Sequence, residues 1–195
     1  MQQTKVLADQ VYRREGFASD VLRILAANVL LILCAQFVIP LPWTPVPITG
    51  QTFGVLLVAV LLGSRRGALA LGLYLLEGAA GLPVFSPLGM PGPARFFGPT
   101  AGFLLAYPVA AFMTGWLVER GSVKNFFRLA ASLVAGDAVI FIGGCAWLGA
   151  ALHLGARALL SQGVLPFLPG ELIKLALILV AVRGMVLARS SKTAT

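Results

Sequence analysis

Charge is scarce in this sequence. Lysine and arginine total 15 and aspartate and glutamate 7 in 195 residues, so 11% is charged, where a soluble domain carries about a quarter. With 58% hydrophobic residues and a mean hydropathy of +0.91, that excludes an ordinary water-soluble domain and points to an integral membrane protein. The single histidine, His153, and two cysteines, Cys34 and Cys145, supply no metal-ligand cluster. Both cysteines lie in apolar runs and read as small buried hydrophobes rather than a disulfide. There is no Gly-x-x-x-x-Gly-Lys-Ser/Thr loop, so ATP is not bound and hydrolysed by that route. No Gly-x-Ser-x-Gly elbow and no supported cysteine–histidine pairing occur, so nothing argues for an enzyme, and no cofactor is implied. The net charge of +8 lies in short clusters between apolar runs, without a basic stripe interleaved with aromatics, which argues against nucleic acid. Residues 1–20 carry Lys5, Asp9, Arg13, Arg14 and Glu15 around no apolar core and do not read as a signal peptide.

What the chain does have is long apolar runs. A spanning helix needs about 20 mostly apolar residues, and candidate spans lie at 21–39, 48–63, 67–81, 99–118, 129–152 and 166–189. The second and third are short and separated by Gly63-Ser64-Arg65-Arg66. Two short spans are preferred to one re-entrant hairpin, because an arginine pair is costly at membrane depth. With six spans, one side of the membrane holds every lysine and arginine except Arg95, Arg157 and Lys174. The positive-inside rule then places both termini in the cytoplasm. The expected organisation is a cytoplasmic segment 1–20, an all-α six-helix membrane domain 21–189 and a cytoplasmic tail 190–195, in one compact bundle.

Of the 12 prolines, all but Pro108 fall on the outer side or at helix ends there. Proline fixes φ and removes a donor, so the outer loops 40–51, 82–98 and 153–169 are expected to be stiff. "IPLPWTPVPITGQ" is the densest example. Small residues recur four apart at Ala106/Ala110, Ala111/Gly115, Ala131/Ala135 and Ala146/Ala150, a spacing that lets helices approach closely in lipid.

Polar residues in or beside the spans are Asn28, Gln36, Gln51, Tyr74, Glu77, Asp137, Glu171 and Lys174. A charge inside hydrocarbon costs at least ~2.5 kcal/mol, so each needs a partner, water or a ligand. Glu77 lies near an outer end and is expected to snorkel to the interface. Asp137 is open to a structural or a functional role. Glu171 and Lys174, at i and i+3 just after Gly170, share one helical face at the head of the last span. They either stabilise the helix start as a pair or meet a small ligand with one acid group and distant N–H groups.

The motifs "PVPITGQTF" (45–53), "LYLLEGAAGLPVF" (73–85), "FGPTAGFLLAYPVAAFMTG" (97–115) and "PFLPGELIK" (166–174) resemble the BioY family, over roughly residues 20–189. These are biotin-binding S components of energy-coupling-factor (ECF) vitamin transporters. The resemblance implies a six-helix bundle of ECF S-component type in the bacterial plasma membrane, binding biotin near its outer face. It also implies a transmembrane coupling subunit and two cytoplasmic ATPases as partners. By the same resemblance Lys174 meets the biotin carboxylate and Glu171 its polar groups. Phe103 and Phe85 are candidates to pack on the ligand rings, Gln51 to donate a hydrogen bond from the outer loop, and Arg95 to make a second carboxylate contact. Packing or solvation remains open for these four. Glu171 stands where the family usually has aspartate, and Ala101 and Phe103 depart from its Gly-Pro-Thr-Gly-Gly-Tyr pattern. No clean Ala-x-x-x-Ala docking pattern appears in "RILAANVLLILCAQ". Three alternatives stand beside this reading: a proton- or ion-coupled solitary porter using Asp137 and Glu77, a ligand-free scaffold, and another vitamin such as thiamine or riboflavin. The Glu/Lys pair suits an anionic ligand better than cationic thiamine.

Overall fold

The computed structural model describes residues 16–121, 123 and 125–192. The basic residues Lys5, Arg13, Arg14 and Lys124, the side chains of Arg189 and Lys192, and residues 193–195 lie outside the described residues.

The apolar runs become helices: α1 (Phe17–Gln36), α2 (Gln51–Ala79), α3 (Ala101–Glu119), which continues through Pro108, α4 (Phe126–Leu152), a short α5 (Ala156–Leu159) and α6 (Leu168–Lys192). Four are long and apolar enough to cross a membrane, or five if the bent pair Ala156–Val164 and Leu168–Val186, at 47°, is one span. The long α2 is not straight. Gly63, at φ 80° and ψ −172°, breaks it, a conformation glycine adopts without a Cβ penalty. Gln51 Nε2 donates to the Tyr74 hydroxyl at 2.7 Å, whereas residues 23 positions apart in one helix would be about 34 Å apart. Limbs 51–62 and 64–79 therefore fold back on each other, as the two short segments expected either side of Gly63. At about 1.5 Å per residue they reach roughly 18 and 24 Å, less than the ~30 Å hydrocarbon core. Counting each limb, six helical segments of ten or more residues form the bundle among the described residues.

The end of the bundle holding this turn is polar and tied together. Glu119, at the end of α3, accepts from the Ser64 N–H at 2.7 Å and from its hydroxyl at 2.9 Å. Asp20 on α1 pairs with Arg66 at 2.9 Å. Gly115 faces the backbone of Gly63 and Ser64 so closely that a Cβ there would collide with it. Ala106/Ala110 and Ala111/Gly115 pack inward, as their spacing suggests. Ala131, Ala146 and Ala150 instead face outward, so those pairs do not serve packing within this chain.

The opposite end carries the proline-rich connections. Val38–Ile39 (β1) and Ile48–Thr49 (β2) pair antiparallel, Val38 opposite Thr49, and close the 40–47 loop. A 3₁₀ helix, Gly92–Phe97, lies within the 82–98 connection. Residues 153–169, expected as a loop, are partly helical: α5 runs into a π-helical stretch, Leu160–Val164. His153 ends α4 in the left-handed region, φ 52°. The Thr44 hydroxyl donates to the Gln162 carbonyl at 2.7 Å, fastening the first connection to the third, and the Trp147 indole donates to the Gly98 carbonyl at 2.9 Å, fastening the second to α4. α3 packs on α2 and α4, α1 covers α2, and α6 packs against α2 and α4. Large apolar side chains such as Leu22, Val29, Val109, Ile142 and Val180 are exposed on the bundle's outside, where lipid would cover them.

Candidate functional site

Three helices begin at the proline-rich end: α2 at Gln51, α3 at Ala101 and α6 at Leu168. Their N-termini carry partial positive charge and converge on one pocket enclosing about 540 Å³, part of it open to solvent. α2 contributes Gln51 and Thr52; α3 contributes Phe103 and Tyr107; α4 contributes Ile140 and Phe141; α6 contributes Glu171 and Lys174. Val46, Ser86 and Arg95 come from the loops.

Pro169 is the second residue of α6, where its fixed φ suits the first helical turn; the Glu171 N–H bonds back to the Phe167 carbonyl at 2.9 Å. One turn in, Lys174 Nζ meets Glu171 Oε1 at 2.6 Å. The Thr52 hydroxyl donates to Glu171 at 2.9 and 3.1 Å and lies 2.8 Å from Lys174 Nζ, which donates to it. Glu171 is 5% exposed, so this pair is a buried, charge-neutral cluster offering both a strong acceptor and a strong donor. No sequence argument singled out Thr52; its place beside the first turn of α6 emerges only once α2 and α6 are packed.

Arg95 forms another wall of the pocket. It is 4% exposed. Its guanidinium donates to the Leu88 carbonyl, to the Ser86 carbonyl at 3.0 Å and to the Ser86 hydroxyl at 2.5 Å. Among the described residues no carboxylate lies within ion-pair distance of it, and its Nε has no hydrogen-bond partner. Burial pulls the guanidinium below its ordinary pKa, and the neighbouring Tyr74 and Tyr107 oppose that shift. The pocket thus holds a neutral donor–acceptor cluster and a separate buried cation without an acid.

A model of the BioY family matches residues 3–191. The chain belongs to this family. The biotin transporter BioY of Rhizobium etli is 40% identical over 162 residues, covering 79% of this chain and 85% of that protein. The biotin transporter BioY of Rhodobacter capsulatus is 37% identical over 183 residues, covering 82% and 90%. The 2.1 Å crystal structure of the S-component for biotin from an ECF-type ABC transporter superposes with a TM-score of 0.78 at 26% identity, over 88% of this chain and 94% of that one. The BioY chain is accordingly an all-helical, multi-pass membrane protein and a transporter component rather than an enzyme.

Five of the six site residues expected from the sequence line this one pocket of the BioY chain: Lys174, Glu171, Phe103, Gln51 and Arg95. Gln51 differs from expectation in its setting. It is the first residue of α2 rather than part of the loop, and its amide is committed to Tyr74. Phe103 is buried and edge-on to Phe141, ring centroids 6.2 Å apart. Phe85 does not line the pocket; it packs edge-on between Tyr74 and Phe96, at 5.2 and 5.7 Å. Sequence position alone could not separate it from a ring facing the ligand, because its orientation is set by the 82–98 connection folding over α2. Glu77 is half-buried and one carboxylate oxygen is shielded without a partner, so it does not snorkel freely as expected. Asp137 is 8% exposed, one helical turn from the pocket residues Ile140 and Phe141, and its Oδ1 also lacks a partner. Besides Thr52, the sequence reading missed Ser86, Tyr107 and Phe141. Tyr107 and Phe141 lie in uniformly apolar spans, where nothing in the pattern distinguishes a pocket wall from core.

Proposed function

We infer that this chain is the biotin-binding S component of an ECF-type transporter, holding one biotin at the proline-rich end of the bundle. That end faces outward if the basic connections lie inside, with both termini cytoplasmic and the chain in the plasma membrane. A transmembrane coupling subunit and two cytoplasmic ATPases supply the energy.

The observation that carries this reading is the separation of two kinds of polar group within one largely apolar pocket. The ureido ring of biotin is neutral, with two N–H donors and a carbonyl acceptor. It matches a neutral cluster in which Glu171 accepts and Lys174 donates. The biotin carboxylate is the only charge on the ligand, and Arg95 is the pocket cation without an acid. The expectation from sequence gave the carboxylate to Lys174. The geometry favours Arg95, because Lys174 is already neutralised at 2.6 Å by Glu171. Phe103 and Phe141 supply apolar walls for the thiophane body.

Biotin uptake by cells expressing this chain, with and without a coupling subunit and its ATPases, tests the transport assignment. Uptake that rises with the coupling module and depends on ATP is expected. A second reading, a solitary proton-coupled porter, draws on the partnerless carboxylate oxygens of Asp137 and Glu77. Uptake that survives ATPase removal and collapses with the proton gradient would replace the first reading with the second.

A further inference from the structure

A second recess, of about 610 Å³ with part of that open to solvent, lies beside the pocket, between the 40–47 loop and the 88–100 segment. Pro47, Arg95 and Thr100 line both spaces, so Arg95 stands at their junction. The other walls are mainly apolar: Leu41 and Pro45 on one side, Leu88 and Met90 on the other. Among the described residues Arg95 is the only charged one lining it, and the Thr44 hydroxyl is already engaged with the Gln162 carbonyl. Both flanking loops are held in place, one through Thr44 and the other through the three contacts of the Arg95 guanidinium. The recess is therefore a built feature continuous with the site.

On the reading that the ligand carboxyl group lies at Arg95, anything attached to that carboxyl would leave the pocket at this junction and enter the recess. We propose that the recess is a subsite for the alkyl portion of biotin amides, so that this chain accepts biotin joined to a linear amine, including the side chain of lysine, as well as free biotin. An amide keeps a carbonyl oxygen that can accept from Arg95 but loses the charge. Binding of a short amide is then weaker than that of biotin, and apolar contact along the chain restores part of the loss. Each fully buried methylene multiplies affinity by up to about fourfold.

The test is competition against labelled biotin on the purified full chain, using biotin primary amide, biotin hexylamide and Nε-biotinyl-lysine. Leu41→Trp and Met90→Trp fill the recess from opposite sides, at residues that do not line the first pocket. The hexylamide is expected to bind at least tenfold tighter than the primary amide, with biotinyl-lysine also tighter than the primary amide. Each tryptophan variant is expected to remove that gain while holding biotin affinity within threefold, which also reports that the variant is folded. A flat chain-length series, with biotin itself bound, overturns the subsite alone. So does a gain that persists in both tryptophan variants. Absence of biotin binding overturns the reading of the site and this inference with it.

Discussion

Esterifying the ligand separates the two cations of the pocket. Biotin methyl ester retains the ureido ring, the thiophane and a carbonyl acceptor, and loses only the negative charge. Arg95 is held by Ser86 and the Leu88 carbonyl and is 4% exposed, so it is positioned before ligand arrives. Two unit charges about 4 Å apart at an effective dielectric near 20 attract by about 4 kcal/mol, and desolvation of the carboxylate reduces the net gain. A difference of roughly 2–4 kcal/mol between acid and ester corresponds to about 30- to 1000-fold in affinity. The wild-type chain should show that preference for biotin, and Arg95→Gln should nearly abolish it. Lys174→Ala should instead weaken acid and ester by similar factors, because it strips the donor from the ureido end and leaves Glu171 a buried, unpaired carboxylate. Titration calorimetry on the three proteins with both ligands measures the three acid-to-ester ratios, and melting temperatures identify any variant that is merely unfolded. If the preference for the acid persists in Arg95→Gln and vanishes in Lys174→Ala, the carboxylate lies at Lys174 and the orientation argued above is wrong.

Other substitutions probe the parts that hold the site. Thr52→Val removes the donor to Glu171 and the acceptor for Lys174; a buried group left unpaired costs about 1–3 kcal/mol, so biotin should bind roughly tenfold weaker or worse while Thr52→Ser stays near wild type by the same calorimetry. Glu171→Gln keeps an acceptor oxygen and should weaken biotin less than Glu171→Ala, with neither variant altering the acid-to-ester ratio. Gly115→Ala drives a methyl into the backbone of Gly63 and Ser64; overpacking of this kind costs about 1–3 kcal/mol and should lower the melting temperature without changing the affinity of the folded fraction. Cysteines introduced in 40–47 or 82–98 should react with an impermeant reagent on intact cells, and cysteines at 119–121 should not; the reverse pattern would invert the assigned topology.

Much of the bundle was legible because lipid imposes a simple rule: apolar runs become helices and breakers mark their ends. The Gly63-Ser64 turn was readable for that reason, and so was the placing of Arg66 and Arg120 at one end. The stretch 156–164 misled, because its arginine and glycine look like loop punctuation while its helical turns are held by tertiary ties such as Thr44 to Gln162. At the site, Glu171 and Lys174 stood out because charge is expensive in a span. Thr52 carries no such signal; a threonine at a helix start is common, and its bond to Glu171 crosses 119 residues of sequence. Arg95 was noticed as an isolated basic residue, but its lack of an acid partner among the described residues, on which its proposed role rests, is a property of packing alone.

The central claim is that this chain by itself forms the biotin site. Equilibrium binding of radiolabelled biotin to the purified chain, free of any coupling subunit or ATPase, tests it most directly. Saturable one-to-one binding, unchanged by ATP and competed by unlabelled biotin, is the expected result. No saturable binding to a preparation shown to be folded, or binding that requires a partner subunit, would contradict it.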